Sequence, residues 1–174
     1  IGDAGAPQVE GEDPVLSLLR SQTKESGKSG TVVFLGDNIY PKGLPDTSAS
    51  FEYQDARRRL VTQLDAIKDH PGKSFIIPGN HDWAQGGKFG WERALNQQDF
   101  VEEYLDDEAF LPLDGCPGPV EIELNEEVIL LLINTQWFLH KWDKPQHESG
   151  CEIEDDASFL LSILDAIDRN SHKR

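Results

Sequence analysis

Apolar residues along the chain cluster in four short runs whose lengths suit β-strands. The runs are TVVFL (31–35), SFII (74–77), VEIEL (120–124) and VILLLIN (128–134). The third run alternates between apolar residues and glutamates, which predicts a strand with one face in water. The other runs lack this alternation, and we expect such strands to be buried on both faces. The NEE segment (125–127) between the last two runs predicts a β-hairpin.

Helical periodicity is strongest in two segments, 51–70 and 155–169. A shorter helix is predicted from Pro14 to Arg20 with Asp13 as its N-terminal cap, and a further helix at 91–105. The apolar residues of the two main segments recur on one helix face. We expect these stripes to be buried: Tyr53, Ala56, Leu60, Leu64 and Ile67 in the first, and Phe159, Leu160, Ile163, Leu164 and Ile167 in the second.

The composition fits one soluble globular domain. With 174 residues, 37% hydrophobic and 28% charged, the chain can bury a single core, and no stretch approaches the ~20 apolar residues of a membrane span. The 32 acidic and 16 basic residues give a net charge of −16, which repels nucleic acids and anionic membranes. Between Arg93 and Lys141, where acidic residues crowd, a solvated face is favoured over a calcium site, because the spacing of a calcium loop is absent.

Polar clusters stand at the ends of three strand-like segments. GDAG (2–5) follows Ile1, GDNIY (36–40) follows the first apolar run, and GNHDW (79–83) follows the second run after one proline. In a parallel or mixed sheet with helical crossovers, the carboxyl ends of the strands meet at one edge, where sites in open α/β sheets lie. A glycine begins each cluster and permits close backbone approach. The three clusters therefore favour one convergent site over three ordinary turns.

The residue types in these clusters suit a hard metal ion. Asp3 and Asp37 offer carboxylate oxygens, Tyr40 a phenolic oxygen and Asn80 an amide oxygen. Such oxygens bind small di- or trivalent cations, and the clusters contain no sulfur for a soft metal. Asn80 can complete a coordination shell without adding charge, while the neighbouring His81 can address a substrate or a leaving group.

GDAG, GDNIY and GNHDW resemble, in their order and strand-end positions, the first three of five motifs of the calcineurin-like metallophosphoesterases. The tyrosine of GDNIY resembles the purple-acid-phosphatase-like branch of that family. The resemblance implies an α/β fold, a metallophosphoesterase-type mixed β-sandwich flanked by helices. It also implies hydrolysis of a phosphate ester by a metal-activated water at a dinuclear site.

The same resemblance implies the cofactors and their ligands. Two divalent or trivalent ions are expected, with iron, zinc or manganese as the elements. Asp3 and Tyr40 would bind the first metal, Asp37 would bridge both, and Asn80 would bind the second.

Two further residues of the third motif are implied to be catalytic. His81 would act beside the metals as an acid or a transition-state stabiliser. Asp82 would hold the other ring nitrogen of His81. The expected partner is then a phosphate-ester substrate, with no nucleic-acid-binding surface and no transmembrane segment.

The chain departs from the family pattern after the third motif. No VxxH or GHxH motif follows, so the histidines that complete both metal sites in the family have no match. We interpret residues 1–174 as a single calcineurin-like phosphoesterase domain, a truncated N-terminal portion that is incomplete at its C-terminus. His140, which follows the fourth run, is the best candidate for a substitute ligand or a pocket wall. The alternative is a catalytically incomplete phosphoesterase-like module that binds or recruits partners.

Two cysteines, Cys116 and Cys151, lie in the loop-like contexts DGCPGP and ESGCEIE. Their contexts predict one disulfide, with reduced thiols as the alternative. A disulfide favours a periplasmic or secreted location and leaves a cytoplasmic one open.

Overall fold

The computed structural model describes residues 1–173 and has a mixed α/β architecture. Every predicted strand and helix is confirmed near its expected position. The largest differences are at three ends. The first helix continues past Arg20 to Ser26, before Gly27 with a positive φ of 62°, the helix of segment 51–70 ends at Ile67, and the run 128–134 forms a strand only over 129–132. The elements are α1 Pro14–Ser26, β1 Thr31–Leu35, α2 Ser50–Ile67, β2 Lys73–Ile77, α3 Gly90–Leu105, β3 Val120–Glu123, β4 Ile129–Leu132, α4 Thr135–Leu139 and α5 Asp156–Arg169.

The first sheet is parallel and is built around β1 and β2, with Phe34 opposite Ile76. An extended segment at Ile1 continues the sheet beyond β1, since Ile1 N donates to Val33 O (2.9 Å) and Leu35 N donates to Ile1 O (2.7 Å). Beyond β2, Ile76 forms a parallel bridge with Phe110. Because all these segments run in the same direction, the residues that follow Ile1, β1 and β2 lie at one edge of the sheet.

The main core lies on the side of this sheet that carries Phe34 and Ile76. Those two residues pack with buried apolar residues from the first three helices, namely Leu16 of α1, Ala56, Leu60, Leu64, Ala66 and Ile67 of α2, and Val101 of α3. The predicted stripe of segment 51–70 is therefore confirmed as a core-facing surface, with Tyr53 partly buried at its edge.

The prediction that the non-alternating strands are buried on both faces is wrong. In β1, Leu35 is 61% exposed and Val33 is only partly buried, and in β4 only Leu132 is buried. The described helices α1 to α3 cover one face of the first sheet. A short apolar run has the same composition whether one or both of its faces are covered, so the pattern could not separate the two cases.

The predicted stripe of α5 is only partly correct. Phe159 and Ile163 pack against Trp137 in a second, smaller core. Leu160, Leu164 and Ile167, however, are 52%, 58% and 50% exposed. The helix carries apolar residues around much of its circumference, and the side occupied by Phe159 and Ala166 is the one that packs inward.

A second sheet and a disulfide complete the structure. β3 and β4 pair antiparallel, and the predicted hairpin is confirmed by the bond from Leu124 N to Val128 O (3.0 Å). Cys116 and Cys151 form the predicted disulfide, with their α-carbons 5.6 Å apart. No helix within residues 1–173 combines the length and the apolar character that crossing a membrane requires.

Candidate metal centre

Three loops meet at the carboxyl edge of the parallel sheet, and glycines allow their close approach. A β-carbon at Gly5 would lie 2.5 Å from the carbonyl oxygen of Asp37, and one at Gly79 would lie 2.3 Å from the backbone nitrogen of Asp37. Gly5 N also donates to Asp37 O (2.9 Å), and Tyr40 N donates to Gly5 O (3.0 Å). The segments GDAG, GDNIY and GNHDW are therefore packed backbone against backbone, which brings their polar residues together.

Asp3, Asp37 and Tyr40 form a single cluster in this region. The Tyr40 hydroxyl donates to Asp3 Oδ1 at 2.7 Å and lies 3.5 Å from Asp37 Oδ2. The hydrogen bond to Asp3, assisted by burial and by the charge of Asp37, raises the pKa of Tyr40 to about 12. The phenol is consequently protonated at neutral pH, and it spans the gap between two carboxylates that repel each other.

Both carboxylates sit on left-handed backbone. Asp3 and Asp37 each have φ of 54°, in a region that few non-glycine residues adopt, although aspartate adopts it more readily than most. Such conformations persist where the surrounding structure imposes them, and they concentrate at ligand-binding positions. Here the hydrogen bonds from Asp3 N to Gly36 O (3.2 Å) and from His81 N to Asp37 Oδ1 (2.9 Å) hold the two residues in place.

Asn80 directly precedes His81, whose backbone nitrogen donates to Asp37 of the cluster. Asn80 is exposed, and its carbonyl accepts a hydrogen bond from Gln85 N (2.8 Å). Within residues 1–173, its side chain makes no hydrogen bond to Asp3, Asp37 or Tyr40. The structure therefore brings together three of the four predicted metal ligands and places the fourth on the adjoining loop.

The donor set fits one hard cation better than two. Asp3 and Asp37 supply two carboxylates, each within hydrogen-bonding distance of the Tyr40 phenol, and oxygen donors of this kind suit hard cations. For a second ion, the predicted donors are Asp37 and Asn80. Among residues 1–173 there is no group of three or more His, Cys, Asp or Glu side chains arranged to hold a metal ion.

His81 stands beside the carboxylate cluster. Its imidazole packs against the Tyr40 ring with centroids 4.1 Å apart, and its Nδ1 lies 2.7 Å from Pro41 O. Within the described chain, Nε2 has no hydrogen-bond partner and is available to a ligand. The backbone carbonyl of Pro41, directly after the 36–40 loop, therefore orients the ring.

The role predicted for Asp82 is wrong. Asp82 is fully buried and accepts hydrogen bonds from Gly79 N (2.8 Å), Asn38 N (3.1 Å), Ile39 N (3.1 Å) and Asn38 Nδ2 (3.1 Å). It therefore points inward and joins the loops after β1 and β2, while Pro41 O takes the position at His81 that Asp82 was expected to occupy. Burial raises the pKa of Asp82 to about 6 despite these donors.

His140 is not part of the cluster. It is buried edge-on against Trp83, with ring centroids 4.9 Å apart, and neither ring nitrogen has a partner in the described structure. Burial lowers its pKa, so the neutral form is favoured. His140 thus packs beneath the GNHDW loop, and the prediction of a substitute metal ligand finds no support in this arrangement.

Several supporting residues were not recognised from the sequence. Asn38 is buried and donates through Nδ2 to Ile77 O (2.9 Å), and Gln63 Nε2 donates to Asn38 O (2.7 Å). Arg59 forms an ion pair with Asp55 at 2.8 Å. The two residues are four apart in the sequence, a spacing that predicts such a pair on a helix. The buried amides gave no comparable signal, because amides are common in exposed loops.

Comparison of the chain with family models, with curated proteins and with solved structures finds no match.

Proposed function

We propose that this protein hydrolyses phosphate esters with the help of bound metal ions, at a centre formed by Asp3, Asp37, Tyr40 and Asn80. The observation that carries the proposal is the Tyr40 hydroxyl, which lies 2.7 Å from Asp3 Oδ1 and 3.5 Å from Asp37 Oδ2 at the carboxyl edge of a parallel sheet. This arrangement supports the motif resemblance, and with it a metallophosphoesterase-type β-sandwich flanked by helices.

The motif resemblance implies which residues bind the metal ions. Asp3 and Tyr40 would hold one ion, Asp37 would bridge, and Asn80 would contribute to the second, with iron, zinc or manganese as the expected elements. Bound cations supply Lewis-acid polarisation of the phosphoryl group and lower the pKa of water. Tyr40, whose pKa is raised to about 12, needs a nearby cation before it can bind as a phenolate.

The remaining residues position and orient. His81 is held at Nδ1 by Pro41 O at 2.7 Å and faces the substrate region with Nε2, from which the imidazolium form can donate a proton or a hydrogen bond to a phosphate-ester oxygen. Asp82 keeps the loops that carry Asp37 and His81 in register through its bonds to Asn38, Ile39 and Gly79.

The net charge is consistent with this mode of substrate binding. At −16 the protein repels a phosphate ester at long range, so local positive charge at the site is needed for binding. The same charge argues against nucleic acid as a partner. The disulfide between Cys116 and Cys151 supports a periplasmic or secreted location for the activity.

A second candidate function is a phosphoesterase-like module that binds metal or partners without catalysis. The observation that favours it is the small number of ligands for a second ion, because only Asp37 and Asn80 are predicted to bind it, and Asn80 makes no side-chain hydrogen bond to the cluster within residues 1–173. A single bound cation would polarise a phosphate but would not clamp both the entering and the leaving oxygen.

Metal binding and hydrolysis measured on the same samples separate these functions. Asp37→Asn should reduce the affinity for Mn²⁺ and Zn²⁺, measured by titration calorimetry, about 10-fold or more. It should also reduce the rate of para-nitrophenyl phosphate hydrolysis. The matched control is Asp99→Asn, an exposed residue of α3 that should leave both unchanged.

The outcomes are distinct. Binding and turnover that are both lost in Asp37→Asn support the enzyme. Binding without turnover in the unmodified protein supports the non-catalytic module. Equal metal affinity in Asp37→Asn and Asp99→Asn would show that the cluster is not a metal centre.

A further inference from the structure

The loop after GNHDW places a glutamine against the imidazole of His81. The side-chain amide of Gln85 lies 3.3 Å from His81 Nδ1, the same nitrogen that lies 2.7 Å from Pro41 O. Gln85 N also donates to Asn80 O at 2.8 Å, which returns the loop to the start of the motif. Gln85 therefore contacts the edge of the His81 ring that carries Nδ1, and Nε2 on the other edge stays free.

The backbone of this loop is strained where it carries Gln85. Ala84 and Gln85 have φ of 52° and 56°, and Gly86 follows with φ of 72°. Consecutive left-handed residues other than glycine are unfavourable, and they persist only where other contacts impose them. The bonds from Gln85 N to Asn80 O and from Gly86 N to Trp83 O (2.9 Å) impose this conformation. Its effect is to direct the Gln85 side chain to His81.

The contacts at Nδ1 determine which nitrogen of His81 carries the proton. Pro41 O is a carbonyl oxygen and can only accept, so the 2.7 Å contact requires a hydrogen on Nδ1. A protonated Nδ1 cannot accept from the Gln85 amide nitrogen. Rotation of the amide by 180° places the side-chain oxygen there, and Nδ1–H is then shared between two acceptors.

We propose that Gln85 is a positioning residue that, together with Pro41 O, keeps a hydrogen on Nδ1 of His81, so that Nε2 is the nitrogen that exchanges a proton with the substrate. Its catalytic consequence depends on the proposed function, whereas the tautomer is a property of the folded chain alone. Gln85 acts through His81 and contacts neither the reacting group nor a metal ligand side chain.

Nuclear magnetic resonance tests the tautomer directly. In ¹⁵N-labelled protein, long-range proton–nitrogen correlations report which imidazole nitrogen is protonated, and His81→Asn identifies its signal among the 5 histidines. The neutral ring should show a protonated Nδ1 in the unmodified protein, both without metal and with diamagnetic Zn²⁺. Gln85→Leu should release the ring from its contact with Pro41 O and so give a mixture of tautomers, and Gln85→Glu, which retains an acceptor oxygen, should restore the Nδ1–H form.

The matched control is Gln54→Leu, the same change at an exposed position of α2. It should leave the His81 signals unchanged. Thermal unfolding of both variants checks that the fold is intact, and their Tm should match that of the unmodified protein. With para-nitrophenyl phosphate, Gln85→Leu should lower kcat about fivefold, the equivalent of one hydrogen bond, with KM unchanged.

A protonated Nε2 in the neutral ring of the unmodified protein would overturn the proposal. So would an Nδ1–H signal that stays unmixed in Gln85→Leu. If the protein proves to have no hydrolytic activity, the proposed function fails while the tautomer measurement still decides the role of Gln85.

Discussion

Gly2 and Gly5 lie in the same segment, yet a β-carbon would meet very different surroundings at the two positions. At Gly5 it would lie 2.5 Å from Asp37 O, whereas at Gly2 its nearest neighbour would be Leu35 Cβ at 3.7 Å. Gly5→Ala should therefore destabilise the protein by about 1–3 kcal/mol through overpacking. Gly2→Ala should change stability by less than about 0.5 kcal/mol. Urea unfolding of both variants checks this, and equal losses would contradict the close approach described here.

Single residues also show how far the sequence could be interpreted. The convergence of Asp3, Asp37 and Tyr40 could be predicted, because strand ends in a parallel sheet share an edge. The inward direction of the Asp82 side chain could not be predicted, since it depends on the backbone dihedrals of the turn from Gly79 to Asp82. Gln85 could not be recognised either, because its position depends on left-handed backbone that its residue type disfavours.

At the scale of elements, periodicity predicted what forms but not what each element faces. The run at 31–35 became β1 with the same bounds, and segment 155–169 became α5 with one residue fewer at its start. Burial on both faces was wrong for β1, and the exposed Leu164 of α5 was predicted to be buried. Coverage depends on where distant elements pack, and a local pattern contains no information about that.

The disulfide joins the segment before β3 to the segment before α5, and Arg169 of α5 also pairs with Glu121 of β3. Cys116 precedes β3 and Cys151 precedes α5, at a sequence separation of 35. In the loop-entropy description, a cross-link of this length stabilises the protein by about 3–4 kcal/mol. Replacing both cysteines by serine should therefore lower Tm by roughly 6–15 °C. Calorimetry with and without dithiothreitol provides the control, because the reductant should affect only the unmodified protein, and a reductant-insensitive Tm there would contradict the prediction.

At the scale of the whole molecule, charge is the dominant feature. A net charge of −16 places like charges close together over most of the surface, which opposes compaction. The Debye length falls from about 30 Å at 0.01 M salt to about 10 Å at 0.1 M, so added NaCl should screen this repulsion and raise Tm by several degrees. Thermal unfolding across a NaCl series measures the effect. A Tm that falls with salt would mean that ion pairs such as Arg93–Glu52 outweigh the repulsion.

The buried carboxylate of Asp82 also affects how the loops around it open. It accepts from Gly79 N in one loop and from Asn38 N and Ile39 N in the other, so neither loop can open without stranding a buried charge. The amide hydrogens of these residues should therefore exchange with deuterated solvent at a common rate, as one cooperative unit. A cation arriving at the site would then meet the loops that carry Asp37 and Asn80 either both closed or both open.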